Sequence, residues 1–572
     1  MYNTFRSVIN GQRAAMQLQF LPLSVTVFYL SLLCQNPITG EEQFDNALIV
    51  NLPNGRIRGR DNGYYYSYES IPYAEPPLGP LRFESPRPFT RNWTDTFEAT
   101  RAPVECMQWD QYKAGVDKLH GVEDCLTVNV YRPKLATVEN AEGGKLPVVV
   151  LIHGGAFMFG SASANGHENF MHNGRVIVVK MNYRLGPLGF LSTEDTIISG
   201  NFGMKDQRLA LQWIKANIAH FGGDAERVML LGFSSGGVAV HLHILAQRNL
   251  AEYVKVAVSF SGVAFNPWAI THKTRSRAVE LAKNLNCPDV SSSQLIKECL
   301  QRKPAEAIVR GVQNFLVFGY NPFTTFGPSI EDVAVVDAFL TRTPQQIVEA
   351  GDFAQLPWLV SYAAQDGGYN AAELLQRMPR REELIEVFNE RWYDLAPYNL
   401  FYKDTMHSVE EMDDYSVALK RRYLGDKEFS IDTYSNVQRM YTDVLFRNGV
   451  QQAIRMHRQY ASSAVYAYVY DNPAEEGIGE LLSHRSDVKM GTVHGDDFFL
   501  IFNRAGKTKI RPDEQLIAQK FLRMLENFVA KGNELAFGDC KFVDNVGKND
   551  YQIMFIQKDV CENKAVNALP SF

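Results

Sequence analysis

Runs of mostly apolar residues punctuate the chain at Val148 to Ile152, Val176 to Met181, Val228 to Leu231, Val256 to Phe260 and Pro357 to Gln365. Each has the length of a strand. Such runs, continuous where a half-exposed strand would alternate, are the mark of strands buried on both faces. Helix-like stretches lie among them, at Gln207 to Ala219 and Ser276 to Asn284. The alternation predicts an α/β fold with a large, mostly parallel central sheet and helices on both faces. Repeats and low-complexity linkers are absent from the sequence.

Composition adds scale. The chain has 572 residues, 45% hydrophobic and 21% charged, with a formal net charge of -6. This fits a large soluble enzyme, and nothing in it suggests a nucleic-acid binder. Length alone suggests several domains. The candidate site residues described next run from residue 153 to 494, however, so one domain over residues 41–572 must assemble them.

Gly232-Phe233-Ser234-Ser235-Gly236 follows the apolar run ending at Leu231 and opens onto Gly237-Val238-Ala239-Val240. Strand, tight turn and helix in that order are the context in which G-x-S-x-G exposes a serine on a sharp elbow. Ser234 is the candidate nucleophile. The motif alone is weak, and His153-Gly154-Gly155 alone is an ordinary tight turn. Together they predict one site, because an HGG-type loop after a buried strand supplies oxyanion donors in the α/β-hydrolase fold. The expected donors are the amides of Gly155, Ala156 and Ser235, where small residues let the backbone approach a substrate closely.

A serine hydroxyl needs a base, and the base a carboxylate, in the chain order serine, acid, histidine. His494 stands in the glycine-flanked segment Gly491 to Asp497, just before Phe498-Phe499-Leu500. A loop tip between buried segments can aim an imidazole inward. His407, His457 and His484 lie among charges and read as surface residues. Asp366 closes the run Pro357 to Gln365 and precedes Gly367-Gly368. An Asp before Gly is ordinarily a turn residue, but its position at a strand end and its place in the order make it the candidate acid.

These segments, with Ile71 to Pro77, Glu123-Asp124-Cys125-Leu126, Asn182 to Phe190 and Asp206 to Trp213, identify the chain as resembling the type-B carboxylesterase and cholinesterase family from about residue 41 onward. Ser67 to Ser70, Tyr470 to Glu475 and Gly491 to Phe499 are most similar to the secreted β-esterases of fruit flies. The resemblance implies an α/β-hydrolase fold and an acyl-enzyme on Ser234. In it His494 acts as base and then acid, and Asp366 orients His494, where many members have glutamate. It implies structural ion pairs Arg82 with Glu123 and Arg184 with Asp206. It also implies three disulfides, Cys106–Cys125, Cys287–Cys299 and Cys540–Cys561, each worth about 3 kcal/mol through the unfolded chain.

Phe233 replaces the glutamate that cholinesterases carry beside the nucleophile, so a cationic alcohol loses its attraction. Trp109, the only tryptophan between Cys106 and Cys125, does not align clearly with the cholinesterase indole that holds such a cation. Both point to neutral esters. Phe233 itself is a candidate pocket residue able to reshape the acyl site. Juvenile-hormone-esterase-like or lipase-like specificity is the same chemistry with another pocket, although hormone esterases commonly carry glutamine at the Phe233 position. A non-catalytic adhesion relative is the reading from another class, and retention of all three site residues argues against it.

Residues 1–34 read as a secretory signal, with Arg13 before an apolar core from Phe20 to Cys34 and cleavage between 34 and 41. Met16 is an alternative start, and a signal anchor the alternative reading. Of seven cysteines, loss of Cys34 leaves six, an even number suited to disulfides. Asn92-Trp93-Thr94 is a glycosylation sequon. The tail Ala565 to Phe572 carries neither an anchor segment nor a retention signal, so export with no stable membrane anchor is expected. Gly506-Lys507-Thr508 lacks the upstream glycine of a phosphate loop, His241-Leu242-His243 has the wrong spacing for two ligands on one helix face, and neither H-E-x-x-H nor C-x-x-C occurs. No metal or cofactor is implied. The expected partner is a small neutral ester, and the expected state is a monomer or homodimer.

Overall fold

The computed structural model describes residues 46–565 apart from 114, 135–143, 377–382, 476, 486, 504–510 and 559. The signal segment with Cys34 and its cleavage region, the tail beyond 565 and Gly506-Lys507-Thr508 lie outside the described residues. Asn46–Phe572 clusters as one unit.

Eleven strands form the main sheet: β1 (Arg60–Asp61), β2 (Tyr65–Pro72), β3 (Thr127–Pro133), β4 (Leu146–Ile152), β5 (Ile177–Met181), β6 (Gly223–Phe233), β7 (Val256–Phe260), β8 (Trp358–Ala363), β9 (Val465–Tyr470), β10 (Gln552–Gln557) and β11 (Val560–Ala565). Their spatial order is β11-β10-β9-β8-β7-β6-β4-β5-β3-β2-β1. The stretch from β10 to β5 is parallel throughout. Antiparallel pairing is confined to the two margins.

The apolar runs work as their pattern predicts. Val148, Val150 and Ile152 of β4 join one core cluster, and Val149 and Leu151 join the other. Each face is then covered by helices whose apolar stripe meets it. Helices α1 (Phe202–Asn217), α2 (Ser235–Ala246), α3 (Thr274–Asn284), α4 (Gly368–Leu374) and α5 (Asn448–Tyr460) place Leu211, Leu242, Leu281, Ala371 and Ile454 in the first cluster. After α6 (Ile478–Ser483) and the single turn α7 (Phe498–Ile501), helix α8 (Pro512–Lys531) covers the opposite face with Ile517, Phe521 and Leu525.

Two details depart from the sequence reading. α1 begins at Phe202, before the expected Gln207, because its first turns bury charges: Lys205 pairs with Glu331 at 2.7 Å and Asp206 with Arg184 at 2.7 Å. A search for apolar period passes over such a start. His457, read as a surface residue, is buried at 2% exposure. On α5 it continues the stripe Val450, Ala453, Ile454, while its charged neighbour Arg455 faces outward. The linear window saw charge on both sides; the helical period puts it on the other face. His407 and His484 are exposed, as expected.

The three disulfides join Cys106 to Cys125, Cys287 to Cys299 and Cys540 to Cys561, with Cα separations of 5.0, 5.9 and 6.1 Å. Arg82 meets Glu123 at 2.5 Å, and Arg184 grips Asp206 through two bonds of 2.8 and 2.7 Å. No helix of the described residues is long and apolar enough to cross a membrane.

Candidate active site

Ser234 sits between β6 and α2 with φ 59° and ψ -124°, a backbone conformation that a non-glycine residue adopts only when its surroundings impose it. The neighbouring glycines make room. A Cβ on Gly232 would collide with the Gly236 carbonyl, and one on Gly236 with the Ile152 carbonyl. The bend is fastened on both sides: Ser234 N donates to Phe260 O at 2.8 Å, and Val238 N donates to Ser234 O at 3.0 Å.

The glycine loop after β4 lies against this elbow. A Cβ on Gly154 would stand 2.7 Å from Phe233 O and 3.1 Å from Ser234 Cβ. Gly155, Ala156 and Phe157 all have positive φ, at 117°, 55° and 61°. The resulting curl lets Met158 N and Phe159 N share the Gly155 carbonyl at 2.9 and 3.0 Å. Among the described residues the amides of Gly155 and Ala156 have no protein acceptor, and both residues line the cavity that holds Ser234. Gln108 clamps the far end of the loop: its Nε2 donates to Gly160 O at 3.1 Å, and its Oε1 accepts from Gly160 N at 2.7 Å. His153 stacks on Tyr183 with centroids 4.4 Å apart, and burial pushes its pKa down to about 4, so the ring stays neutral.

Asp366 lies just past the end of β8 and is fully buried. Its Oδ2 accepts from Ser261 Oγ at 2.7 Å and from Ala363 N at 2.9 Å. Its Oδ1 stands 2.5 Å from His494 Nδ1. A carboxylate only accepts, so Nδ1 donates, and in the neutral ring Nε2 is the acceptor. The two turns are also tied backbone to backbone, since Gln365 N donates to Thr492 O at 2.9 Å. Gln365 Oε1 in turn accepts from Thr492 N at 2.8 Å. The structure therefore brings Ser234, Asp366 and His494 to the same end of the parallel strands, with Ser234 and His494 lining one cavity.

That cavity has a volume of about 380 Å³, and its wall is largely apolar, with Phe159, Trp268, Phe323, Phe446, Leu482 and Phe499. Phe233 lies in it with its ring stacked on Phe498 at 4.7 Å and 4.6 Å from the His494 ring. Trp109 is buried and is not part of the wall. The carboxylate of Glu105, which also lines the cavity, is already engaged: Ser161 and Ser163 donate to it at 3.0 and 3.2 Å, and His120 stands at 3.3 Å.

Sequence reasoning missed several contributors. Ser261, with positive φ, was invisible because nothing around it forms a motif. Phe446, 4.8 Å from His494, rides on a wide π turn, Thr442–Arg447. The Leu445 and Phe446 carbonyls of this turn are taken up by Asn266 and Trp268 at 2.8 to 2.9 Å. Such turns recur at functional sites, but no residue pattern announces them. Asp497 is buried beside the site, accepting from Tyr468 OH at 2.7 Å, and burial pushes its pKa up to about 6. Asn92 is exposed. Among the described residues no group of three or more His, Cys, Asp or Glu is placed to hold a metal.

The sequence model of the carboxylesterase family matches residues 46–569. The chain belongs to the carboxylesterase family. This carboxylesterase is 53% identical to Esterase-5B of Drosophila persimilis, over 92% of its own length and 96% of the relative's. It is 54% identical to Esterase-5A of Drosophila miranda over 91% and 94% of the two chains. Its fold is that of a solved juvenile hormone esterase from Manduca sexta with OTFP covalently attached. The two superpose with a TM-score of 0.75 at 23% identity, covering 91% and 96% of the chains. The carboxylesterase is thus a carboxylic ester hydrolase of the α/β-hydrolase fold.

Proposed function

We propose that this carboxylesterase hydrolyses neutral esters through an acyl-enzyme on Ser234 and that it is secreted. The observation that carries the mechanism is the 2.5 Å contact between His494 Nδ1 and buried Asp366, in a cavity that also presents Ser234 from a strained elbow. Ser234 Oγ attacks the ester carbonyl carbon while its proton passes to His494 Nε2. The carbonyl oxygen becomes an oxyanion and is met by the amides of Gly155, Ala156 and Ser235. His494 then gives its proton to the alcohol oxygen as the C–O bond breaks. Water repeats the sequence and frees the acid. Each oxyanion donor contributes about 10²- to 10³-fold in rate.

The apolar wall around Trp268 and Phe323 and the neutral ring at Phe233 support neutral esters over choline esters. Export is supported by the apolar core after Arg13 and the even count of cysteines after Cys34.

The test is hydrolysis of 4-nitrophenyl acetate by the protein recovered from the medium of insect cells, beside Ser234→Ala, with organophosphate labelling and mass mapping. Activity lost in the variant, label on Ser234 and an amino terminus between residues 35 and 41 are expected. A label elsewhere, or full activity in Ser234→Ala, overturns the mechanism; retention in the cells overturns secretion.

A further inference from the structure

Three aromatic rings surround the His494 imidazole: Phe233, Phe446 and Tyr369, with centroids at 4.6, 4.8 and 5.4 Å. Of these only Tyr369 carries a polar group, and its hydroxyl is hydrogen-bonded to the hydroxyl of Tyr112. The two phenols come from distant parts of the chain. Tyr369 belongs to α4, directly after the Asp366 turn, whereas Tyr112 belongs to the segment closed by the Cys106–Cys125 disulfide. The Tyr112 ring also meets Phe159 edge-on at 5.4 Å, and Phe159 continues the loop that carries Gly155 and Ala156. One side chain therefore spans from the glycine-loop wall to the His494 wall. Both phenols line the cavity, and Val116, four residues beyond Tyr112, is exposed at 99%.

Which half of the ester meets this pair follows from proton transfer. On the reading of Ser234 and His494 given above, His494 protonates the leaving oxygen, so the alcohol must lie within about 3 Å of its Nε2. Of the three rings beside His494, Phe233 adjoins Ser234 and is assigned to the acyl side, which leaves Phe446 and Tyr369 for the alcohol; Tyr369 is the one bound across the cavity to Tyr112.

We infer that the hydrogen-bonded hydroxyls of Tyr112 and Tyr369 are a latch across the alcohol side of the cavity, limiting the bulk of the alcohol whose esters are cleaved. An ester of a small alcohol reacts beneath the closed latch; a bulky one must part the hydroxyls first. Burial raises both phenols above their ordinary range, so both keep their protons at neutral pH. A single neutral hydrogen bond sets the scale, roughly 2- to 10-fold in rate.

The test compares Tyr112→Phe, Tyr369→Phe and the double variant, which keep every ring and remove only hydroxyls. The kcat/KM values are measured for ethyl, cyclohexyl and naphthylmethyl acetate, and for ethyl acetate against ethyl butyrate. Each single variant raises the ratio of bulky to small alcohol roughly 2- to 10-fold, the double variant raises it no further, and the acetate-to-butyrate ratio stays put. An unchanged alcohol ratio overturns the latch, as do additive effects in the double variant or a shift that appears in the acyl series instead. Organophosphate labelling of Ser234 in the same preparations reports the underlying mechanism separately. Active wild type without that label overturns the mechanism, and the alcohol-side assignment falls with it.

Discussion

The ring of Phe233 stands 4.6 Å from the His494 ring while lying stacked on Phe498 and edge-on to Phe499 at 5.4 Å. The residue before the nucleophile thus braces the candidate base and shapes the pocket at once. Phe233→His exchanges an apolar face for a polar one at the cavity wall. We expect the kcat/KM ratio between acetate and butyrate esters to move by about 10-fold, the worth of a methylene in a pocket, with a smaller effect on folding. Identical ratios across acetate, butyrate and longer esters would falsify the pocket role.

Asp366 accepts three bonds, from His494 Nδ1, Ser261 Oγ and Ala363 N. Asp366→Asn offers an amide group that cannot accept all three, and it presents a donor to Nδ1. Turnover should fall about 10⁴-fold, as the wrong histidine tautomer would cause. Steady-state kinetics on 4-nitrophenyl acetate decides the matter; a loss below tenfold would leave Asp366 a scaffold residue.

Gln108 acts at one remove, by clamping Gly160 from both its N–H and its carbonyl. Gln108→Ala frees the far end of the loop that carries Gly155 and Ala156. A fall of about 10-fold in kcat is expected, part of one oxyanion donor's worth. Gln108 also lines the cavity, so KM for a small acetate should shift as well, but by less than kcat. A change confined to KM would contradict this.

His241 and His457 are hydrogen-bonded through their Nε2 atoms at 2.9 Å inside the core. His241 Nδ1 accepts from Ala264 N at 3.1 Å, so His241 carries its proton on Nε2 and donates to His457. Burial holds both rings neutral, with His457 pushed down to about 3 and His241 well below its ordinary value. Because the unfolded chain takes up these protons below about pH 6.5 and the native fold does not, stability is full above that pH and falls as the pH drops toward 3. Urea titrations at pH 7 to 4 should show this loss. His457→Gln, which can still accept from His241, should flatten the slope by up to about 1.4 kcal/mol per pH unit; equal slopes would remove the pair as a cause.

Much of the fold was legible because its signals are local. Val148 to Ile152 and Val256 to Phe260 are strands almost to the residue, since a segment buried on both faces has no choice of composition. The glycine-and-serine elbow was legible because steric exclusion dictates its small residues. Asp366 and His494 emerged from order and loop context, and the structure brings them within 2.5 Å. Their support was illegible. Ser261, Phe446 and Gln108 meet the site only through tertiary packing, and no spacing along the chain encodes such a meeting. His457 misled for the same reason, its helical face outweighing its neighbours in sequence.

The central strands that carry Ser234 and Asp366 flank β7, yet the turn holding His494 follows only after β9. A ribosome therefore delivers the proposed nucleophile long before its base. On the proposed mechanism the serine of a half-made chain has no base to deprotonate it. On that mechanism the enzyme gains its base only once the segment after β9 has been made, so the order of synthesis itself keeps the hydrolase idle until then.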